Sequence, residues 1–355
     1  MDPKVSICVP NLNTRPFLPE RFQTIREQSL NDWELLVYDS HSTDGAWEYI
    51  CELAAEEPRM RAWQGPREGT PGSWSPCVAQ ARGEYVYIAT SDDTMPPDCL
   101  EKLVAALDAH PGCDVAHCRL MPIDEHGNEV SERSRWWSTR SVFAQSSGPL
   151  LDVPHIRRAP FDGLLHLSGK SVYISITQLL IRRSLFDRIG LFESTWGSVG
   201  DFNWSMRAGL AASTVHVPDT WGGWRLHSAQ ATATAGVGSP EHAKKTDAMI
   251  ENAIERCARF LSPPLQRRLR SDWCAELQDM RAFDREIAAL KNALERRAYV
   301  MRRLLGGSVA ARQHVQARLL DDPRRLDRFS DRVQRWLHDA SMGPALVPAS
   351  MVHPL

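Results

Sequence analysis

An α/β fold built on a doubly wound, mostly parallel, Rossmann-like sheet with a C-terminal α-helical extension is the architecture this sequence predicts, on three observations. Short apolar, β-branched runs alternate with stretches of helical periodicity, the pattern that repeated βα units leave in a chain. Those runs are nearly continuous in apolar residues, as in Val5-Ser6-Ile7-Cys8-Val9 and Tyr85-Val86-Tyr87-Ile88, which suits strands covered on both faces. Polar residues and carboxylates gather where the runs end, the edge at which open α/β sheets bind ligands.

Val5 to Val9 reads as the first strand, closed by Pro10 and followed by the polar loop Asn11-Leu12-Asn13-Thr14. Phe22, Ile25 and Leu30 set a helix over 19–30, and Trp33 to Tyr38 forms a second buried strand that ends at Asp39. Ser42-Thr43-Asp44-Gly45 resembles an N-cap for a helix from Ala46 to Glu56, after which Arg61 to Gln64 is a third strand. A Gly/Pro/Ser-rich loop over 65–76 leads to a helix ending near Arg82-Gly83. The strand from Tyr85 then runs into Asp92-Asp93 and Met95-Pro96-Pro97. Asp98 to Ala109 is amphipathic and stopped by Pro111-Gly112, and Val115 to Leu120 is a further strand. Residues 131–170, basic and rich in Ser, Gly and Trp, are expected to form an irregular excursion that shapes a binding cleft. Val172 to Ile181 is an apolar run, Arg182 to Phe192 a helix with a glycine stop, and helical periodicity dominates from Ser239 onward. The expected organisation is one α/β domain over 1–235, with halves 1–120 and 121–235, a helical extension over 236–340 and a disordered tail over 341–355.

With 355 residues, 43% hydrophobic and 24% charged, the chain has the composition of an ordinary globular protein. The net charge of -2 conceals a front portion near -8 and a tail near +6, since residues 241–355 hold 21 Lys/Arg against 15 Asp/Glu. No broad basic footprint marks a nucleic-acid partner. The arginine-rich tail, around Arg296-Arg297, Arg302-Arg303 and Arg324 to Arg335, is expected to offer solvated faces, packing on the α/β domain, contacts with a second copy or a peripheral contact with the inner face of a membrane. Eight cysteines without a CxxC pair suggest neither zinc nor a disulfide framework. No apolar run approaches the roughly 18 residues of a membrane span, and Met1-Asp2-Pro3-Lys4 leads into a strand instead of a signal peptide, so the cytoplasm is the expected compartment.

Asp92 and Asp93 carry the sharpest chemical signal. Adjacent carboxylates at a strand's carboxyl edge repel one another unless a hard cation or positive charge lies between them, so a divalent metal with a diphosphate is the first ligand to consider, against a solvated Asp-Asp turn.

Together these segments resemble the inverting family-2 glycosyltransferases, whose GT-A fold is a single nucleotide-binding α/β domain. The resemblance covers residues 4 to about 229 and is carried by five segments. Val5 to Asn13 is similar to the family's opening strand and Pro-x-x-Asn loop, which implies that Pro10, Asn11 and Asn13 lie beside the nucleobase. Glu34 to Gly45 resembles the Asp-Asp-Gly-Ser-Thr-Asp-Gly segment, with Ser40 and His41 in place of its second Asp and its Gly, and implies that Asp39 accepts the imide N–H of uracil or thymine. Ala81-Arg82-Gly83-Glu84-Tyr85-Val86 precedes the acidic pair, where Thr90 stands in place of a carboxylate. By resemblance Asp92 contacts ribose or metal, and Asp93 holds Mn²⁺ or Mg²⁺. Gly200-Asp201 resembles the Glu-Asp motif at the start of a helix, with Gly200 in place of Glu, and makes Asp201 the general base. Trp224-Arg225-Leu226-His227 is similar to the segment that ends related catalytic domains, with His227 a metal ligand and Arg225 facing the diphosphate or sugar.

The resemblance therefore implies a metal-dependent inverting glycosyltransferase of polysaccharide biosynthesis. Its donor half is 1–120 and its acceptor half 121–235, and it moves a sugar from a UDP or dTDP sugar to a glycan or lipid-linked hydroxyl. Beside it stand a helix N-cap reading of Asp201 and a structural reading of His227. Trp74, Trp196, Trp221 and Trp224 are candidate sugar platforms, since an aromatic face packs on the C–H face of a pyranose, or else core residues. Arg67 is a candidate base or phosphate contact. A sugar-1-phosphate nucleotidyltransferase or a nicotinamide dehydrogenase would need glycines after the first strand, where Asn11-Leu12-Asn13-Thr14-Arg15-Pro16 has none. A sugar-nucleotide or glycan binder that has lost activity is the other alternative, suggested by Thr90 and Gly200.

Overall fold

The computed structural model describes residues 2–67, 69, 72–147, 150–167, 171–228, 230, 240–269 and 345–349. The first half alternates as read: β1 (Val5–Asn11), α1 (Leu18–Arg26), β2 (Trp33–Asp39), α2 (Ala46–Glu56), β3 (Met60–Gln64), α3 (Trp74–Gln80), β4 (Tyr85–Ile88), α4 (Cys99–Ala109) and β5 (Val115–Ile123). Every residue of β1, β2 and β4 is buried. Alternate positions serve opposite faces: Ile7 and Val9 join a core with α1, α2 and α4, whereas Cys8 joins the core on the other side.

The second half is β6 (His155–Arg157), β7 (Leu179–Arg182), β8 (Thr214–Arg225) and β9 (Leu346–Pro348), with α5 (Ser131–Arg140), α6 (Val142–Ser147), α7 (Phe161–His166), α8 (Ser184–Ile189), α9 (Gly200–Ala211), α10 (Pro240–Cys257) and α11 (Pro263–Arg268). Nine strands form one sheet in the order β3-β2-β1-β4-β7-β5-β8-β6-β9. The sheet is mixed: β1–β2, β1–β4, β2–β3 and β5–β8 are parallel, but β7 lies antiparallel between β4 and β5, and β6 is antiparallel to both β8 and β9. An apolar run announces a buried strand but not its direction, so the sequence pattern misses this inversion.

Two further expectations are corrected. The 131–170 excursion, read as irregular, contains α5, α6, β6 and α7; these elements are too short for a clear period, and α5, Ser-Glu-Arg-Ser-Arg-Trp-Trp-Ser-Thr-Arg, has no apolar stripe. Within the tail read as disordered, Leu346–Pro348 pairs with β6, because an exposed strand edge offers a row of backbone partners to any segment that reaches it. The start of the helical extension packs on the α/β core: Met249, Ala253 and Cys257 of α10, with Leu261 and Leu265, are buried in the same cluster as Trp204 and Met206 of α9. Residues 270–344, which include the tail arginines, lie outside the described residues. No helix among the described residues is long and apolar enough to cross a membrane.

The Ala81–Val86 landmark is structural. Glu34, deep at the amino edge of β2, accepts from Ser6 Oγ (2.7 Å), Arg82 N–H (2.8 Å) and the Arg82 and Arg61 guanidinium groups, while Gly83 N–H donates to Ser6 Oγ at 2.8 Å. Burial alone would raise this carboxyl, but these donors hold it below its usual range.

Gly163 of α7 and Gly209 of α9 make the closest helix contact. A Cβ at Gly209 would lie 2.4 Å from Gly163 N, and one at Gly163 would lie 2.4 Å from Leu210 N. Backbone cannot retreat as a side chain can. Gly209→Ala is expected to destabilise the protein by about 1–3 kcal/mol, seen as a lower urea midpoint at unchanged slope.

Candidate active site

The carboxyl ends of β1, β4 and β8 border a cleft of about 510 Å³, the size class of small-molecule sites. Asn11, Arg67, Asp92, Asp93, Asp201 and His227 all line it, so segments far apart in the chain meet there.

Asp39 does not itself line the cleft; it is buried beside the lining residues Asn11 and Ser40, and four donors fill its two oxygens. Oδ1 accepts from Asn11 Nδ2 (2.7 Å) and Ser42 Oγ (2.6 Å), and Oδ2 from Ser42 N–H (3.0 Å) and Gln64 Nε2 (2.9 Å). Burial pushes this carboxyl up, yet the four bonds hold it below the usual range. Asn13, at a positive φ of 55°, accepts from Thr43 N–H and donates its own N–H to Ser42, bracing the loop from outside the cleft lining. Arg67 lines the cleft but points its donors at Ser40 O (3.0 Å) and His41 O (2.7 Å). Gln64 was not foreseen; the signal for it is register, since Asp39 and Gln64 are partners across the parallel β2–β3 pair.

The acidic loop follows β4. Asp93 is 2% exposed; its Oδ1 accepts from Arg225 N–H at 2.9 Å and its Oδ2 from the Thr90 hydroxyl, so Thr90 supplies a donor where a third carboxylate was expected. Burial, then repulsion from Asp92, pushes the Asp93 carboxyl up to about 7. Asp92 is more open and lies 3.0 Å from His227 Nε2, whose ring packs on Phe17 with centroids 4.8 Å apart. Asp92 and His227 are thus the pair brought together at the surface of the cleft, with both Asp93 oxygens engaged behind them. Gly223 lets β8 approach this loop: it exchanges two 2.9 Å backbone bonds with Thr94, and a Cβ there would lie 2.1 Å from Thr94 Oγ1.

Arg225, expected at the diphosphate or sugar, is corrected. It is 1% exposed, and its guanidinium donates to Asp92 O (2.7 Å), Asp124 O (3.0 Å), Glu125 O (3.1 Å) and the Glu20 carboxylate. A cation so enclosed supports the loop from behind and has little left to offer a ligand.

Asp201 sits in the first turn of α9 and accepts Phe202 N–H at 2.8 Å. Burial pushes its carboxyl up to about 6, partly opposed by that bond. Of the tryptophans, Trp74 and Trp224 line the cleft. Trp196 instead donates to Glu193 at 3.1 Å, and Trp221, three positions from Trp224 on a regularly paired strand, belongs to the opposite face of the sheet.

Asp92 and His227 offer one hard oxygen and one imidazole nitrogen on the same side of the cleft. Among the described residues no cluster of three ligating side chains exists. A cation held by this pair completes its shell from ligand oxygens and water, the habit of Mg²⁺ and Mn²⁺ beside phosphates, so the donor set fits such a metal.

A family model described as glycosyl transferase family 2 matches residues 6–190. Among relatives, EpsE of Bacillus subtilis, provisionally assigned as a glycosyltransferase, is 32% identical over 127 residues, 35% of this chain and 46% of its own. The chain spans less than half the length of the curated relatives it matches. Two solved structures share the fold. S. aureus TarS 1–349 in complex with UDP-GlcNAc aligns with a TM-score of 0.54 at 15% identity, covering 96% of this chain and 92% of that one. The mannosyltransferase PcManGT from Pyrobaculum calidifontis, in complex with GDP-Man and Mn²⁺, aligns with a TM-score of 0.52 at 19% identity, covering 96% and 86%.

Proposed function

Since the chain belongs to glycosyl transferase family 2, whose members use nucleotide sugars, we propose that it transfers a sugar with inversion from a nucleoside diphosphate sugar to an acceptor hydroxyl, with Asp201 as general base. One observation carries this reading: Asp201, raised to about 6 by burial, lines the same cleft as the Asp92–His227 pair. A base with that pKa is ionised at neutral pH yet still basic enough to take a hydroxyl proton. A single carboxylate suffices, because the acceptor oxygen attacks the anomeric carbon as the diphosphate departs from the opposite face.

Asp92 and His227 would hold Mn²⁺ or Mg²⁺, which when bound would supply positive charge against the departing diphosphate. Asp93, engaged by Thr90 and Arg225, fixes the loop and adds negative potential behind the cation. Asp39, buried beside the lining residues Asn11 and Ser40, recognises the base. Its four filled acceptor positions mean that an imide N–H enters by replacing a donor, and Gln64 is the one held by a single bond. This favours uracil or thymine, and the UDP-GlcNAc complex of TarS is consistent with it. Trp224 and Trp74 offer apolar faces to a sugar, and the acceptor is a glycan or lipid-linked hydroxyl. Residues 1–235 with α10 form the catalytic unit.

The test is release of nucleoside diphosphate from a panel of UDP, dTDP and GDP sugars with Mn²⁺, together with the anomeric configuration of the product by NMR. Asp92→Asn and His227→Ala are expected to raise the Mn²⁺ concentration for half-maximal activity by roughly 10–100-fold. Retention of the anomeric configuration would defeat the single-base mechanism. Nucleotide binding without turnover on any acceptor would favour the alternative of a binding protein, which the Thr90 and Gly200 replacements suggest.

A further inference from the structure

We propose that α10, outside both the matched family segment and the 1–235 unit, is the positioning element of the catalytic base; this rests on the reading of Asp201 as that base. Asp201 and Asn203 are two positions apart on α9, about 200° of rotation, so they occupy opposite sides of the helix. While Asp201 lines the cleft, buried Asn203 grips α10 from behind: its Nδ2 donates to Met249 O at 3.0 Å and to Asn252 Oδ1 at 3.2 Å. Its Oδ1 accepts from Arg207 Nε at 3.1 Å, one turn further along the same side.

Arg207, also buried, extends the clamp upstream. Its guanidinium donates to the carbonyls of Ile189, Gly190 (3.4 Å) and Leu191 (2.9 Å), where the chain leaves α8 for the loop that leads to Asp201. Helix α10 holds the same segment independently: Arg256 donates to Ile189 O at 3.5 Å and pairs with Glu193, which in turn anchors Trp196. The Cys257 thiol closes the circuit on Arg207 O at 3.5 Å. Both the approach to the base and the back of its helix are therefore fixed by one element. A base must sit within hydrogen-bond reach of the proton it removes, so a shift of the helix by a fraction of a turn acts on turnover before it acts on donor binding, whose contacts lie at the ends of β1, β2, β4 and β8.

In the full chain, Asn203→Leu removes the whole junction and Asn252→Ala only the side-chain half. Each is expected to lower kcat by roughly 10–100-fold, with donor KM, UDP affinity by calorimetry and, for Asn252→Ala, the melting temperature little changed. Asn252→Asp, which keeps the acceptor for Asn203, is expected to recover most of the turnover lost in Asn252→Ala. Wild-type kcat in folded Asn252→Ala, or equal loss in Asn252→Asp and Asn252→Ala, overturns the proposal, and it does so even if Asn203→Leu fails to fold. Asp201→Asn separates the two readings. If it transfers sugar normally, the base assignment has failed; if it is inactive while Asn252→Ala is normal, only the role of α10 has.

Discussion

Asp201→Asn is expected to reduce kcat by roughly 10²–10⁴-fold, the usual contribution of a positioned general base, while nucleotide affinity stays near the wild-type value. The amide keeps the size and the acceptor for Phe202 N–H but cannot take a proton. The pH profile makes the assignment specific. A base works ionised, and burial places this one at about 6. Wild-type kcat should therefore be level above about 6 and fall about tenfold per pH unit below it. The residual rate of Asp201→Asn should show no such limb. If the limb survives the substitution, another group is the base. Asp93, raised to about 7, is the competitor to watch, but both of its oxygens already take donors from Thr90 and Arg225, so Asp93→Asn should disturb the loop and Mn²⁺ response as well as the rate.

How much of this site a reader of the sequence sees depends on whether a residue's role is written locally. Asp39 is legible because it ends the apolar strand β2, and Asp92 and Asp93 because they lie in the loop just beyond β4, since a strand end in an α/β sheet has a known relation to the ligand edge. Asp201 is legible only through its motif, since an acid in the first turn of a helix reads equally as a cap. Gln64 and Ser42 need register and loop geometry, which pairwise spacing does not encode. Arg225 misleads because an arginine beside a His reads as an anion contact; its burial under the loop depends on Gly223 lying against Thr94, a long-range contact. The same limit hides the direction of β7, the edge strand β9 and the union of α10 with α9. Their signals are tertiary, and apolar periodicity says only that a face is covered, not by what.

The second large effect concerns pH and lies away from the cleft. His117, His155, His166 and His216 are buried around Arg157, whose guanidinium pairs with Asp162 at 2.7 Å and reaches His155 and His117 at 3.4 and 3.3 Å. Tyr173 bridges Asp162 and Thr214 with two 2.7 Å bonds, Gln178 holds His117 at 3.1 Å, and the neutral His216 ring donates to one of the two carbonyls beside it, His117 O at 2.9 Å or Leu151 O at 3.0 Å. All four rings stay neutral in the fold. Burial, then for His155 the Arg157 charge, lowers His155 to about 4; burial lowers His166 to about 3 despite Asp162, and lowers His117 and His216 as well. An unfolded histidine protonates near 6.5. Their contribution to stability is therefore complete above about 6.5 and is lost as pH falls toward the folded values, at about 1.4 kcal/mol per histidine per unit. By pH 5 His155 and His166 cost about 4 kcal/mol together, and His117 and His216 add to that in the same direction. Asp93 and Asp201, raised to about 7 and about 6, bind protons more readily folded than unfolded and return about 4 kcal/mol between pH 7 and 5. The lowered carboxyls Asp39 and Asp162 lose their contribution only below about 4. The return from Asp93 and Asp201 offsets the loss from His155 and His166, so His117 and His216 tip the balance toward destabilisation, against a total stability of only about 5–15 kcal/mol. Urea midpoints should fall from pH 6.5 to 5. His166→Gln, which cannot ionise, should flatten that slope by one histidine's share, whatever it does to stability at pH 8; an unchanged slope would show that His166 takes up no fewer protons folded than unfolded.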